Sequence, residues 1–333
     1  MRVGFLSSAH VHADAYVANL RAAGVEVAGV ADDDAARGRR WATTHAVPWF
    51  SSAEQLLEAV DAVIVCSETV HHRRLVELAA AAGVAVLCEK PLATNDDDAR
   101  AIVAACETAG VALMTAFPMR FSPPLRDAAG MLADGTLGRL HACTGTNQSV
   151  LPTQHGAWFA DATLAGGGAI MDHSVHLADV LRWYLDEDPV EVYAATNRVL
   201  HSDTVDVETG ALLMLTYPSG VFATIDASWS RPDHYPTWGG LTLELVGEHG
   251  TVGVDAFGQH LTVHGGAHGP LAWPMWGSDP NQGMIDEFVD AVRTGRTPAV
   301  TGADGLAATR VALAAYRSAE SGLPVAPEST AVT

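Results

Sequence analysis

Lysine is all but missing from this chain. Of the 19 basic residues other than histidine, Lys90 is the sole lysine and the rest are arginine. Arginine stays charged at any working pH, whereas burial can tune a lysine amine into a proton donor or acceptor. A lone lysine therefore marks a place where a titratable amine is wanted. Basic residues as a group are also scarce, 19 against 39 acidic ones, for a formal net charge of −20. That balance excludes a nucleic-acid or anionic-membrane partner, each of which needs a basic patch, and favours a neutral small molecule. Long apolar runs are absent, with nothing approaching the roughly 18 residues of a membrane span. The opening Met1-Arg2-Val3-Gly4-Phe5-Leu6 is broken by polar residues too soon for a signal peptide. The four cysteines, Cys66, Cys88, Cys106 and Cys143, have no CxxC spacing. They read as small buried hydrophobes in a reducing compartment, which places the protein in the cytoplasm.

What is present is globular. Hydrophobic residues make up 48% of the chain and charged ones only 17%, and 333 residues exceed what one core usually holds, so two domains are expected. Apolar runs at Arg2–Ser7, Val25–Ala31, Asp61–Ser67, Val84–Cys88 and Val111–Phe117 alternate with Ala/Leu-rich helical stretches such as Ala13–Ala23. This rhythm implies βαβ units and a parallel sheet with right-handed crossovers.

The first turn of such a sheet is where a G-x-G-x-x-G fingerprint would sit. Here it is Ser7-Ser8-Ala9-His10-Val11-His12, with serine, alanine and histidine in place of the glycines. Serine and alanine are small enough to leave the tight turn and the close backbone approach possible, whereas histidine at the third position is bulky. A helix N-terminus still attracts an anion without them. Asp32 closes the second strand, where an acid binds ribose hydroxyls. With Asp33 and Asp34 beside it, a 2′-phosphate would be repelled, which favours NAD; Arg37, Arg39 and Arg40 keep NADP open. An alternative role for the same acids is to cap the next helix. Lys90 itself follows the run Val84–Cys88, at the carboxyl edge of a strand, where ligands of open α/β sheets collect.

These residues, with Ser67-Glu68-Thr69-Val70-His71-His72, Glu89-Lys90-Pro91, Arg120-Phe121 and the later Gly166-Gly167-Gly168-Ala169-Ile170-Met171-Asp172-His173-Ser174-Val175-His176-Leu177-Ala178-Asp179, resemble the glucose-fructose oxidoreductase / inositol dehydrogenase / rhizopine catabolism family, Gfo/Idh/MocA. Glu287-Phe288 and the stretch Gly302–Ser321 resemble its closing segment. The resemblance implies an N-terminal Rossmann domain, set at residues 1–120. It also implies a C-terminal α/β domain over 121–333, with an open, mostly antiparallel sheet that binds substrate and mediates oligomerisation. It implies NAD(P)-dependent oxidation or reduction of sugars and polyols. Lys90, Asp172 and His176 match the catalytic lysine, aspartate and histidine. Ser7, Ser8, Ala9, His10, Val11, Asp32, Ser67, His72, Glu89 and Lys90 fall to the cofactor, and Lys90, Arg120, Asp172, His173 and His176 to the substrate. Three motifs depart from the family: the glycine loop, the usual T-P-N-x-x-H, and the asparagine before the arginine, here Phe117-Pro118-Met119-Arg120.

In the second half, Met171 to Tyr184 is expected to be helical, and at 100° per residue Asp172, His176, Asp179 and Trp183 share one face. The acid would fix the imidazole tautomer. The glycine run before it would let a ligand approach the backbone. From Val190 onward, alternating runs with turns at Pro218-Ser219-Gly220 and Gly247-Glu248-His249-Gly250 imply an antiparallel sheet. Its open face would suit a homodimer or homotetramer. The apolar loop Trp273-Pro274-Met275-Trp276 would wall a pocket or pack between subunits. Two rival functions remain. One is a metal-dependent lyase, isomerase or hydrolase built on Asp172, His173 and His176 with help from His10 or His12. The other is a non-catalytic nucleotide sensor.

Overall fold

The computed structural model describes residues 1–264, 271–273, 277 and 279–327. The chain forms two compact units. The first is Met1–Pro118 with His155–Gly166 and Asn281–Thr309; the second is Met119–Gln154, Gly167–Pro280 and Arg310–Thr333. The first unit thus takes two later segments that a boundary at residue 120 does not give it.

In the first unit six parallel strands, β1 (Arg2–Leu6), β2 (Glu26–Ala31), β3 (Trp49–Phe50), β4 (Ala62–Val65), β5 (Ala85–Cys88) and β6 (Leu113–Thr115), lie in the order 3-2-1-4-5-6. This is the dinucleotide-binding order, whose chain direction switches between β1 and β4. Val63, Val65, Val86 and Cys88 are buried in one cluster with Leu75, Val76 and Ala79 of a flanking helix, as strands covered on both faces require. Five helices accompany the sheet: α1 (His12–Ala22), α2 (Ala35–His45), α3 (Ala53–Leu57), α4 (His72–Ala81) and α5 (Asp96–Ala109). α1 buries Tyr16, Val17 and Leu20 against the sheet. α5 is capped by the Asn95 side chain, which accepts from the Asp98 N–H, and it ends at Gly110 in a left-handed turn.

The second unit holds a six-stranded sheet of β7 (Leu140–Ser149), β8 (Glu191–Asn197), β9 (Gly210–Thr216), β10 (Phe222–Ser228), β11 (Gly239–Gly247) and β12 (Gly250–Asp255), ordered 12-11-7-10-9-8. Every pairing is antiparallel except β7 with β10, so the sheet is mixed. The expected hairpins are present, Gly220 adopting φ +86° in the turn between β9 and β10. One face of the sheet is covered and the other open, as the alternating burial along β8 and β9 shows. The remaining helices are α6 (Pro123–Ala133), α7 (Ala162–Ala165), α8 (Val175–Leu185), α9 (Pro280–Thr294) and α10 (Gly302–Ser321). Two short strands, β13 (Val263–His264) and β14 (Leu271–Ala272), form a separate ribbon. Trp273 stacks on His260 at 4.4 Å; Pro274, Met275 and Trp276 lie outside the described residues.

Ahead of α8, Ile170–Ser174 forms a π-type turn instead of α-helix. The Ser174 hydroxyl donates to the Ile170 carbonyl at 2.7 Å within it. A π turn inserts an extra residue per turn, so the 100° spacing expected from Asp172 to His176 does not hold through this stretch.

Candidate active site

In the first unit the turn after β1 folds without glycines because Ser7 itself takes the left-handed conformation, φ +67°. Its hydroxyl accepts from the Ala9 N–H at 3.2 Å, a local bond that offsets the strain. Asp32 reaches this turn from the end of β2. Its carboxylate accepts from the Ser8 N–H at 2.8 Å, the Ser8 hydroxyl at 2.9 Å and Arg37 at 2.8 and 2.9 Å. Burial alone would push the Asp32 carboxyl up, but Arg37 and Ser8 outweigh it and hold it below the usual aspartate range.

The three neighbouring acids divide the two roles open to them. Asp34 is the helix cap, accepting from the Ala36 and Arg37 N–H groups, Asp33 pairs with Arg74, and Asp32 faces the turn. Arg37 does not stand ready for a phosphate, since its other branch pairs with Glu68 at 2.8 Å. Ser7, Asp32, Arg37, Ser67, Glu68 and His71 line a cleft of about 220 Å³. A carboxylate acceptor and hydroxyls at the switch point of such a sheet fit a nucleoside ribose, so Asp32, Ser7 and Ser67 would hold the adenosine half of NAD.

His72 and Glu89, also expected at the cofactor, have these surroundings. His72 is buried between the Ser67 carbonyl (3.3 Å) and the Leu92 carbonyl (3.2 Å). Burial holds it below the usual histidine range, and as a neutral ring with one N–H it donates to one of these two carbonyls, between the loops after β4 and β5. Glu89 is fully buried. It meets His12 Nδ1 at 2.9 Å and the Tyr16 hydroxyl at 2.7 Å, while its second oxygen accepts the Lys90 N–H. Lys90 follows β5, is 6% exposed, and precedes a cis peptide bond to Pro91. An aromatic pair absent from the sequence expectations, Trp158 and Phe159, stacks at 4.0 Å. Phe159 sits edge-on to His10, and the Trp158 indole donates to the Ala9 carbonyl at 3.2 Å. Sequence carried no signal for it beyond two adjacent aromatics.

In the second unit the Asp172 carboxylate accepts from the indole N–H of the fully buried Trp229 at 2.9 Å. His173 is buried, with Nε2 2.7 Å from the Ser149 hydroxyl and 3.4 Å from Asp172. It therefore buttresses Asp172 from inside. Arg120 grips the buried Asp179 of α8 through two bonds of 2.6 and 2.8 Å. Arg120 and His173, both expected at the substrate, make these contacts to Asp179 and to Asp172 and Ser149. The glycine run is closely packed by its own chain. A Cβ on Gly167 would collide with the Tyr316 hydroxyl, and one on Gly168 with the Glu208 carbonyl. The positive φ of Gly166 (+87°) and Gly167 (+157°) also favours glycine. Glu208 accepts from the Gly168 and Ile170 N–H groups and from Tyr316, and burial pushes its carboxyl up. Among the described residues, the group whose possible ligand atoms lie within 4.8 Å of one another is His10, His12 and Glu89, not Asp172, His173 and His176.

A family model described as "Oxidoreductase family, NAD-binding Rossmann fold" matches residues 3–117, and the Gfo/Idh/MocA C-terminal domain model matches residues 125–253. The chain belongs to the Gfo/Idh/MocA family. It is an NAD(P)-dependent oxidoreductase. It is 30% identical to the 1,5-anhydro-D-fructose reductase of Ensifer adhaerens, over 96% of this chain and 97% of that one. It is equally identical to the D-xylose 1-dehydrogenase (NADP⁺) 2 of Haloferax volcanii, over 98% and 99%. The crystal structure of GenD2 from gentamicin A biosynthesis in complex with NAD superposes with a TM-score of 0.89 at 26% identity, covering 99% of this chain and 97% of that one. Among the described residues no helix is long and apolar enough to cross a membrane.

Proposed function

We propose that this Gfo/Idh/MocA oxidoreductase moves a hydride between NAD and a secondary alcohol of a sugar, polyol or related compound, with Lys90, Asp172 and His176 as its catalytic residues. The observation that carries the assignment is the Asp172 carboxylate, fixed by Trp229 and followed within one turn by His176. Bound NAD supplies the hydride acceptor. His176 takes the hydroxyl proton as the carbonyl forms, and Asp172 holds the imidazole and a neighbouring hydroxyl. Lys90 polarises the reacting oxygen. The net charge of −20 favours a neutral polyhydroxy substrate over an anionic one. The test is turnover on a panel of sugars and polyols with NAD. Lys90→Met and His176→Ala abolish it, while calorimetry shows NAD affinity within a few-fold of the wild type. Full activity in both variants overturns the assignment.

The four cysteines are free thiols, all buried, which supports a reducing, cytoplasmic setting. The open face of the second sheet carries the exposed apolar side chains Tyr193, Leu212, Met214 and Phe222. Soluble monomers rarely leave such a patch uncovered, so a second copy of this chain is proposed to cover it. Sedimentation of a monomer at micromolar concentration overturns that proposal.

A further inference from the structure

His10 and His12 stand two residues apart on the turn into α1, and Glu89 ends β5 across from them. Their ligand atoms all lie within 4.8 Å of one another. Glu89 Oε1 is 2.9 Å from His12 Nδ1 and 3.7 Å from His10 Nδ1. Zinc held at about 2.0–2.2 Å by nitrogen and oxygen ligands in a tetrahedron separates those ligands by about 3.3 Å. The two edges bracket that value. Coordination would need small shifts of the side chains, since all three ligand atoms already lie within 4.8 Å of one another. The His12 N–H also lies 3.3 Å from His10 Nδ1, a long contact that a metal bond would replace.

The surroundings resemble those of a metal site. Glu89 is 0% exposed and His10 3%, whereas His12 is 27% exposed and leaves one side open to solvent or a fourth ligand. The carboxylate is held by the Tyr16 hydroxyl on Oε1, which also lies 3.3 Å from His12 Nδ1, and by the Lys90 N–H on Oε2; metal ligands commonly have such outer support. Burial would push the Glu89 carboxyl up, yet the two histidines and Tyr16 outweigh it and hold it well below the usual glutamate range. An anion in so dry a place needs positive charge beside it. Two imidazoles and one carboxylate are a zinc-type donor set.

We propose that His10, His12 and Glu89 form a binding site for a divalent transition metal of the zinc class. The ion would tie the turn after β1 to the end of β5, one residue from Lys90. Hydride transfer does not require it, so the site is an addition to the oxidoreductase function.

The test uses untagged, full-length protein stripped with a chelator, dialysed and titrated with Zn²⁺ alone by calorimetry. One ion per chain binds with micromolar or tighter affinity. His12→Gln and Glu89→Gln each weaken binding at least tenfold, and His173→Gln leaves it unchanged. Tyr16→Phe keeps all three ligands and weakens binding less than either ligand change does. Should the ligand variants fail to fold, Co²⁺ added to the wild-type protein decides. The intense visible bands of tetrahedral Co²⁺ support the site, and the pale spectrum of the hydrated ion overturns it. Substoichiometric zinc, or a His12→Gln protein that melts with the wild type and binds zinc equally well, also overturns it. Each outcome is read from zinc binding and folding, independently of turnover.

Discussion

Arg37 holds Asp32 through two parallel N–H···O bonds of 2.9 and 2.8 Å, and the pair lies in the cleft assigned to the adenosine ribose. A bidentate guanidinium–carboxylate contact is among the stronger side-chain interactions, and Glu68 takes the remaining branch of Arg37. The cation is outnumbered by its acids, so it neither frees Asp32 from ribose recognition nor offers itself to a 2′-phosphate. Asp32→Ala removes the ribose acceptor and releases half of the Arg37 grip. The ratio of kcat/KM with NADP to that with NAD should rise about a hundredfold, two effects of roughly 1.4 kcal/mol each. Steady-state kinetics with both cofactors checks this, and an unchanged ratio refutes it.

Glu89 makes an acid-sensitivity prediction. Its native value lies below the ordinary 4.5 of an unfolded glutamate, so the stability it contributes is present above about pH 4.5 and is lost as pH falls toward the native value. Glu89→Gln should cost about 2–4 kcal/mol at pH 7, because it strips the anion from His10 and His12 while keeping the shape. Urea unfolding in the presence of a chelator would follow the gap between wild type and variant. The gap should shrink as pH falls below about 4.5. A gap that stays constant down to pH 3 would contradict the assignment.

The parallel sheet was legible in sequence for a physical reason. Strands buried on both faces, such as Ala62–Val65 and Ala85–Cys88, read as unbroken apolar runs between turn signals. Trp49–Phe50 was not legible, since two half-buried residues make no run. Lys90 stood out as the lone lysine and Asp172–His176 by motif, but the contacts around them did not. The π turn at Ile170–Ser174 defeats any argument from a 100° period. The roles of Trp229, Ser149 and Glu208 depend on contacts between residues 24 to 57 positions apart, which no local pattern encodes. The glycine run shows the same limit: its composition is visible, while Tyr316, which packs on it, lies far along the chain.

That contact can be measured directly. Gly167→Ala places a methyl group against the Tyr316 hydroxyl, and overpacking of this kind costs about 1–3 kcal/mol. Tyr316→Phe removes the clashing oxygen together with the bond to Glu208 of 2.7 Å. Gly167→Ala should therefore cost less in the Tyr316→Phe background, with a coupling of about 1 kcal/mol or more in a double-mutant cycle of unfolding free energies. Additive effects would mean that the glycine answers to something other than this tyrosine, such as the bound ligand expected from the sequence.

The indole of Trp229 gives the sharpest test of the carboxylate proposed to be catalytic. Its N–H is 2.9 Å from Asp172 Oδ2, and the ring is fully buried beneath the site. Trp229→Phe keeps an aromatic ring there and deletes the donor, so Asp172 loses the contact that fixes its direction. The expected loss is about tenfold in kcat/KM for the alcohol, near 1.4 kcal/mol. It should fall on kcat, with the NAD dissociation constant unchanged, since that affinity is proposed to rest on Asp32 and its neighbours. The decisive comparison is with Asp172→Asn. If the indole acts only by orienting the carboxylate, adding Trp229→Phe to Asp172→Asn costs little further activity, as expected for two residues in one interaction. Two losses that multiply in full would show that Trp229 supports the site by packing alone, and the oriented-carboxylate account would fail.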